Sequence, residues 1–332
     1  MIRSWRHGGL LSVVAALAAA GCRDVGAGPG TIKVGTVLPE SHPTAAALKH
    51  FKHKVEQLSD GGMRVDVFYN SQLGSADEVL ELCRMGDVEM AQVSAANLGV
   101  YVRASNVLAM PFIWRDSQHQ ARALDGRVGE ILREDARRLD LEILGYFDAG
   151  TRNISTKKGP IRNPEDLRGL KIRVMSSPLM VATINALGAS AVGLNQGEVY
   201  TALQMGVIDG WENNPMTIAT FRMYETGCLY FAWTHHFSIP DILVAGGPFF
   251  RKLNDRQREW VMLAARETAV LQRRMWKESE QKALDQMLAG GMKLNAVNAE
   301  PFRARVGPIY AEYERRYGDE FARLVELIRN TP

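Results

Sequence analysis

Two arginines and a short acid–amide run are the residues of this chain best placed to do chemistry. Arg173 lies inside "LKIRV", an apolar run that reads as a strand, where a charge is costly unless it meets a counter-charge. Arg152 follows "DAGT", in the loop after a second apolar run, "LEILGYF". A guanidinium in such a setting either pairs with a nearby acid or holds a ligand carboxylate through two parallel hydrogen bonds. The stretch "DGWENNP" at 209–215 adds Trp211, Glu212, Asn213 and Asn214 just before the helix-breaking Pro215. These residue types suit a plain turn, and they equally suit the edge of a ligand cleft.

Catalytic patterns are thin by comparison. There is no nucleophile elbow and no glycine-rich phosphate loop, and the three cysteines are too scattered for zinc. His235 and His236 are adjacent, so on a strand they point to opposite faces and would not share a metal. The net charge is +3 with Lys and Arg interspersed among Asp and Glu, which gives no basic stripe for nucleic acid. The expectation is a binding protein without catalytic residues, metal or cofactor.

The elements that must position these residues start after a leader. "MIRSWRHGGLLSVVAALAAAGC" has Arg3 and Arg6, an apolar run from Leu10 to Ala20 and then small residues, the layout of a secretory signal. Its end resembles a bacterial lipobox with Cys22 as the lipidated residue, and ordinary cleavage near Ala18–Ala20 is the alternative. Export is expected, to a periplasmic location, with or without a lipid tether. Cys83 and Cys228 are read as two separate buried thiols.

The chain has 332 residues, 46% hydrophobic and 23% charged, enough for two sizeable cores. "TIKVGTVLP", a helix closing near Gly61, "MRVDVFY" and a helix opened by the capping box Ser75–Glu78 alternate as strand and helix, which predicts an α/β domain with a mainly parallel sheet. A second unit starts near residue 150 with the short helix "NPEDLRG", the strand "LKIRV" and a further capping box, Asn195–Glu198. "EVLELCRMGDVEM" from Glu78 and "EVYTALQMGVIDG" from Glu198 share Glu, Val, Met and Gly at a constant offset, so Asn214 falls opposite Ser94. Two lobes on one plan would face each other with their strand ends, where open α/β sheets bind ligands. From Asn254 to Ala289 neither glycine nor proline interrupts the chain; a continuous helix there spans roughly 50 Å at about 1.5 Å per residue, long enough to brace both lobes.

"GTRN", "PEDLRGLKIRV", "LGAS", "GEVYTALQMGVIDGWENNP" and "MPFIW" together closely resemble the solute-binding proteins of tripartite ATP-independent periplasmic (TRAP) transporters. The resemblance covers about Thr31 to Phe302. "WENNP" and the run from His119 to Gly129 are more similar to the sugar-acid branch than to the sialic-acid branch. It implies a two-lobed fold similar to the type II periplasmic-binding proteins, with a ligand cleft between lobes and a long bracing helix. The implied division is 31–149 with about 239–278 as the first lobe, and 150–238 with about 279–332 as the second.

The family's carboxylate clamp falls on Arg173, a further ligand contact on Arg152 and another on Asn213. First-lobe cleft positions fall near Ser94 and Asn97, and after the first strand near Glu40 and His42. Gln196 replaces a phenylalanine that often forms a ligand-packing wall, and Trp211 stands where a small or polar residue is common. The implied partners are a small organic acid and integral-membrane permease subunits, with the receptor itself a monomer. Glu40, His42, Ser94, Asn97, Gln196 and Glu212 suit sugar hydroxyls, and Trp211 offers a flat face for a pyranose ring unless it packs in the core. A hexuronate or related sugar acid is therefore expected first, a C4-type dicarboxylate second and a 2-oxo acid third. A secreted enzyme acting on acidic sugars and a sensing module are the competing classes.

Overall fold

In the computed structural model the described residues are 30–332; the leader and Cys22 lie outside them. β1 (Thr31–Thr36), α1 (Pro43–Leu58), β2 (Arg64–Phe68), α2 (Ala76–Met85) and β3 (Met90–Ser94) alternate in the predicted order. They are followed by α3 (Ala95–Leu98), α4 (Ser117–Asp125), α5 (Arg127–Arg137) and β4 (Leu141–Phe147). The chain then crosses to β5 (Arg152–Thr156), β6 (Lys171–Val174), α6 (Pro178–Leu187), β7 (Ser190–Gly193), α7 (Val199–Gln204), β8 (Gly210–Asn213), α8 (Pro215–Thr220) and β9 (Tyr230–Phe237). It returns through β10 (Asp241–Gly246) and α9 (Gly247–Lys252), and ends in α10 (Asp255–Ala289), β11 (Lys293–Ala296), α11 (Glu300–Tyr317) and α12 (Asp319–Asn330).

Local chemistry explains the boundaries. Ser75 and Glu78 close a reciprocal capping box on α2, and Gly86 ends that helix at φ 91°, a left-handed conformation that favours glycine. Asn254 and Gln257 do the same for the start of α10, which runs 35 residues without a break. "NPEDL" keeps its capping box but forms one turn of 3-10 helix at Pro164–Leu167 rather than an α-helix.

Among the described residues the strands make two sheets, ordered β2-β1-β3-β10-β4 and β11-β9-β5-β8-β6-β7. The two orders superpose as one plan: β1 with β6, β2 with β7 and β3 with β8, each trio parallel. Each sheet is mainly parallel, with a single strand, arriving from the opposite lobe, running against the rest. β10 runs antiparallel to β3 and β4, and β5 runs antiparallel to β8 and β9.

These two crossings and α10 join the lobes. α10 packs first on α1 and β4 and later on α8. At the junction, fully buried Gln272 accepts from Asp148 N (2.9 Å) and donates to Asp148 O (2.7 Å) and to Thr44 Oγ1 (3.1 Å). The end of the chain is shared between the lobes. α11 packs on α6 of the second lobe, whereas α12 docks on α5 and the 103–109 segment of the first. Phe321, Leu324, Val325 and Ile328 of α12 are buried in a core shared with Leu132 of α5, and each such side chain contributes about 1.5–3 kcal/mol relative to exposure. His119 and Arg122 of α4 then hold the Ile328 and Pro332 carbonyls, at 2.8 and 2.7 Å. The amphipathic pattern of α12 says that one face is buried; it does not say against which lobe. Cys83 and Cys228 are both buried free thiols. No helix among the described residues is long and apolar enough to cross a membrane.

Candidate functional site

The pocket between the lobes lies where the parallel strands end and the two antiparallel strands begin. The first lobe contributes Val37 and Leu38 after β1, Gln92 and Ser94 from β3, Asn97, and Asp241 at the start of β10. The second contributes Arg152 at the start of β5, Arg173 from β6, Asn195 and Gln196, and Asn213 and Asn214 at the end of β8. Ser94 and Asn214 occupy equivalent places: each caps the short helix that follows its strand, Ser94 accepting from Ala96 N at 3.4 Å and Asn214 from Thr217 N at 2.7 Å.

Arg173 is 1% exposed. Its Nε and Nη2 donate to the Leu194 carbonyl (2.9 and 2.6 Å) and its Nη1 to Gln196 Oε1 (3.3 Å). Both acceptors are neutral. Burial pushes the guanidinium down to about 9, so it remains a cation at neutral pH. Three of the five N–H groups that a guanidinium carries are used, and two remain for a ligand. Beside it, Gln196 Nε2 is buried without a hydrogen-bond partner. Asn213 uses Oδ1 to accept from Asn214 N at 2.9 Å, which leaves its amide N–H groups to the pocket it lines.

Arg152 differs sharply. Its Nε and Nη2 grip Glu212 Oε2 and Oε1 at 2.6 and 2.8 Å, and Nη2 also reaches the Glu212 carbonyl at 3.0 Å. Burial would raise the Glu212 carboxyl, but the Arg152 guanidinium outweighs burial and holds it below its usual range. Behind the pair, burial lowers the pKa of His236 against the pull of Glu212, and its Nδ1 lies 2.8 Å from Thr234 Oγ1. The imidazole is therefore neutral, and the cation of Arg152 is matched inside the protein.

The structure brings Arg152, Arg173, Asn213, Ser94, Asn97 and Gln196 to one pocket. It places four expected residues elsewhere. Glu40 is exposed and pairs with Lys49 at 2.7 Å. His42 caps α1 through Nδ1, accepting from Thr44 N at 3.2 Å, and packs 5.7 Å from the Trp276 ring. Glu212 is wholly buried behind Arg152. Trp211 is also wholly buried, in a core with Ile208, Met216 and Phe231, so it presents no face to a sugar ring. Trp211 shares a face of β8 with Asn213 but lies two residues short of the strand end, where the second-lobe core covers it.

The sequence reading missed Asp241 and Gln92. Asp241 lines the pocket, with the Gln92 amide beside its carboxylate. Burial pushes it up to about 7, opposed by Arg152 and by the Gln92 amide. Gln92 is fixed from behind by Thr36, whose Oγ1 donates to Oε1 at 2.5 Å. No local motif marks either residue; the acid at the head of the apolar run "ILVAG", directly after Pro240, was the one available hint. A second groove, along α10, is lined by Asp148, Arg273 and Lys277, but Arg273 is already held by Asp125 at 2.6 and 2.8 Å. Among the described residues no cluster of side chains is arranged to hold a metal.

Residues 34–316 match the family described as bacterial extracellular solute-binding protein, family 7. A solute-binding protein of Chromohalobacter salexigens is 32% identical over 282 residues, covering 85% of this chain and 84% of that protein. Among solved structures, a TRAP periplasmic solute-binding protein from Chromohalobacter salexigens with bound D-glucuronate is similar at TM-score 0.88 and 31% identity, covering 90% of this chain and 99% of the other. Another, from Sulfitobacter with bound β-D-galacturonate, is similar at TM-score 0.88 and 30% identity, with coverage of 90% and 99%.

Proposed function

The chain belongs to the bacterial extracellular solute-binding proteins of family 7 and is a TRAP-type solute receptor, and on that premise we propose that it captures a hexuronate through Arg173 and delivers it to a membrane permease. The observation that carries the reading is the Arg173 guanidinium, buried at the strand ends with neutral acceptors alone. Such a group favours one incoming carboxylate, received in the fork geometry that arginine supplies. The amide and hydroxyl groups around it suit the remaining hydroxyls of a sugar acid. The glucuronate and galacturonate complexes of similar proteins support the same class.

A dicarboxylate would ask for a second free cation. Arg152 is the candidate, and its charge is already matched by Glu212, which places the C4 acids second. Binding without turnover is the role proposed, with the two crossings and α10 acting as the hinge about which the lobes close. Cys22 is proposed as a lipid anchor, checked by whether Cys22→Ser releases the exported protein and abolishes fatty-acid uptake.

The test is a melting-temperature series with glucuronate, galacturonate, succinate, pyruvate and glucose, since a ligand bound only by the folded state raises the transition. Shifts with the uronates and none with glucose are expected. A shift with succinate and none with either uronate would sink the assignment.

A further inference from the structure

Asp241 opens β10 and lies in register with Ser94 on β3. Gln92, two residues from Ser94, shares that face of the sheet, as does Thr36, its partner on β1. The Thr36 hydroxyl occupies Gln92 Oε1, which directs the Gln92 amide N–H groups away from β1. The Asp241 carboxylate thus sits on an ordered polar floor, facing the pocket into which Arg173 projects from the other lobe.

Charge counting sharpens the point. The pocket lining holds two guanidiniums, Arg152 and Arg173, and one carboxylate, Asp241, with Glu212 behind Arg152 and Asp77 behind Asn97. A ligand with one carboxylate is received at Arg173. A second ligand carboxylate, reaching across to the first-lobe floor, would meet Asp241 with no unmatched cation to receive it. Hydroxyls there meet a carboxylate acceptor beside the Gln92 amide.

We propose that Asp241 sets the selectivity of this cleft, accepting two neighbouring hydroxyl protons of a sugar acid and repelling a second anionic group. The inference rests on the sugar-acid reading above and adds the residue that enforces it. It is specificity by an unfavourable contact as well as a favourable one. Carboxylate–hydroxyl bonds are charge-assisted and short, hence sensitive to the loss of charge.

The test is calorimetry at a pH of about 8.5, above the value near 7 to which burial pushes Asp241, with glucuronate and with glucarate, the dicarboxylate of the same chain length, on wild type and Asp241→Asn. The amide keeps the size and removes the charge. Glucuronate affinity should fall about ten- to a hundredfold, glucarate affinity should rise, and the ratio between them should collapse by about a hundredfold or more. Asp241→Ser repeats the measurement should the amide variant fail to melt cooperatively. A ratio within about threefold of wild type in whichever variant folds, or a wild type that binds glucarate as tightly as glucuronate, overturns the inference. Absence of glucuronate binding in the wild type instead removes the hexuronate reading, so the two failures are seen in different proteins.

Discussion

Arg152 and Glu212 form a closed pair, with Nε–Oε2 at 2.6 Å and Nη2–Oε1 at 2.8 Å, and both side chains buried. The pair joins β5 to β8, so it stabilises the strand end from which Asn213 projects. It also separates the two arginines of the pocket by function. Arg152 is a structural cation with its counter-ion built in, and Arg173 is the cation held for a ligand.

Glu212→Gln should therefore cost about 3–5 kcal/mol of folding stability in urea denaturation, because it leaves Arg152 buried without its acid. The pH dependence follows from the lowered carboxyl. An acid whose folded pKa lies below its unfolded value stabilises the fold above that unfolded value, near 4.5, and stops doing so as pH falls through the folded one. Wild type and variant should converge in acid; stability curves that stay parallel from neutral pH down to 3 would show that the pair contributes nothing.

Arg173→Ala should weaken uronate binding by about 2–5 kcal/mol, roughly thirtyfold to several thousandfold. Arg173→Lys should also bind poorly, since an ammonium lacks the planar fork. Calorimetry that finds near-normal affinity in the lysine variant takes Arg173 out of the clamp. Without ligand, the alanine variant loses the bonds to the Leu194 carbonyl and should melt somewhat lower.

His42 sets a second pH dependence. Burial pushes its imidazole down to about 3 from an ordinary 6.5, so between those values the unfolded chain takes a proton that the folded chain refuses. Stability then falls as pH falls from 6.5 toward 3, by up to about 1.4 kcal/mol per pH unit from this group. His42→Gln should flatten that slope in chemical denaturation across the interval. An unchanged slope means the residue is protonated in the fold.

Trp211→Phe should leave uronate affinity within about twofold while lowering the melting temperature, because the ring fills a core and touches no pocket. A large loss of affinity at unchanged stability would return Trp211 to the binding surface.

Much of the scaffold was legible from local chemistry. The capping boxes at Ser75 and Asn254, the unbroken α10 and the matched offset of Ser94 and Asn214 are short-range signals, and each appears in the fold. What failed to show is tertiary. Nothing near Arg152 announces that its partner is Glu212, sixty residues on. Nothing near Asp241 shows that β10 will be inserted beside β3, which is what carries the acid to the cleft. The settings of Trp211 and α12 are tertiary in the same way: an apolar face says that it will be covered, and the topology decides by what.

The insertion of β10 between β3 and β4 has a kinetic side as well. Until Gly246 has emerged from the ribosome, the first sheet contains a gap the width of one strand, and β4 has no neighbour in it. The first sheet cannot lock before β5 to β9 of the second have been synthesised, so its closure waits on a contact of large sequence separation, the kind that folds slowly. A fragment ending at Phe237 should accordingly be digested by protease at sites within β4 that the complete chain protects.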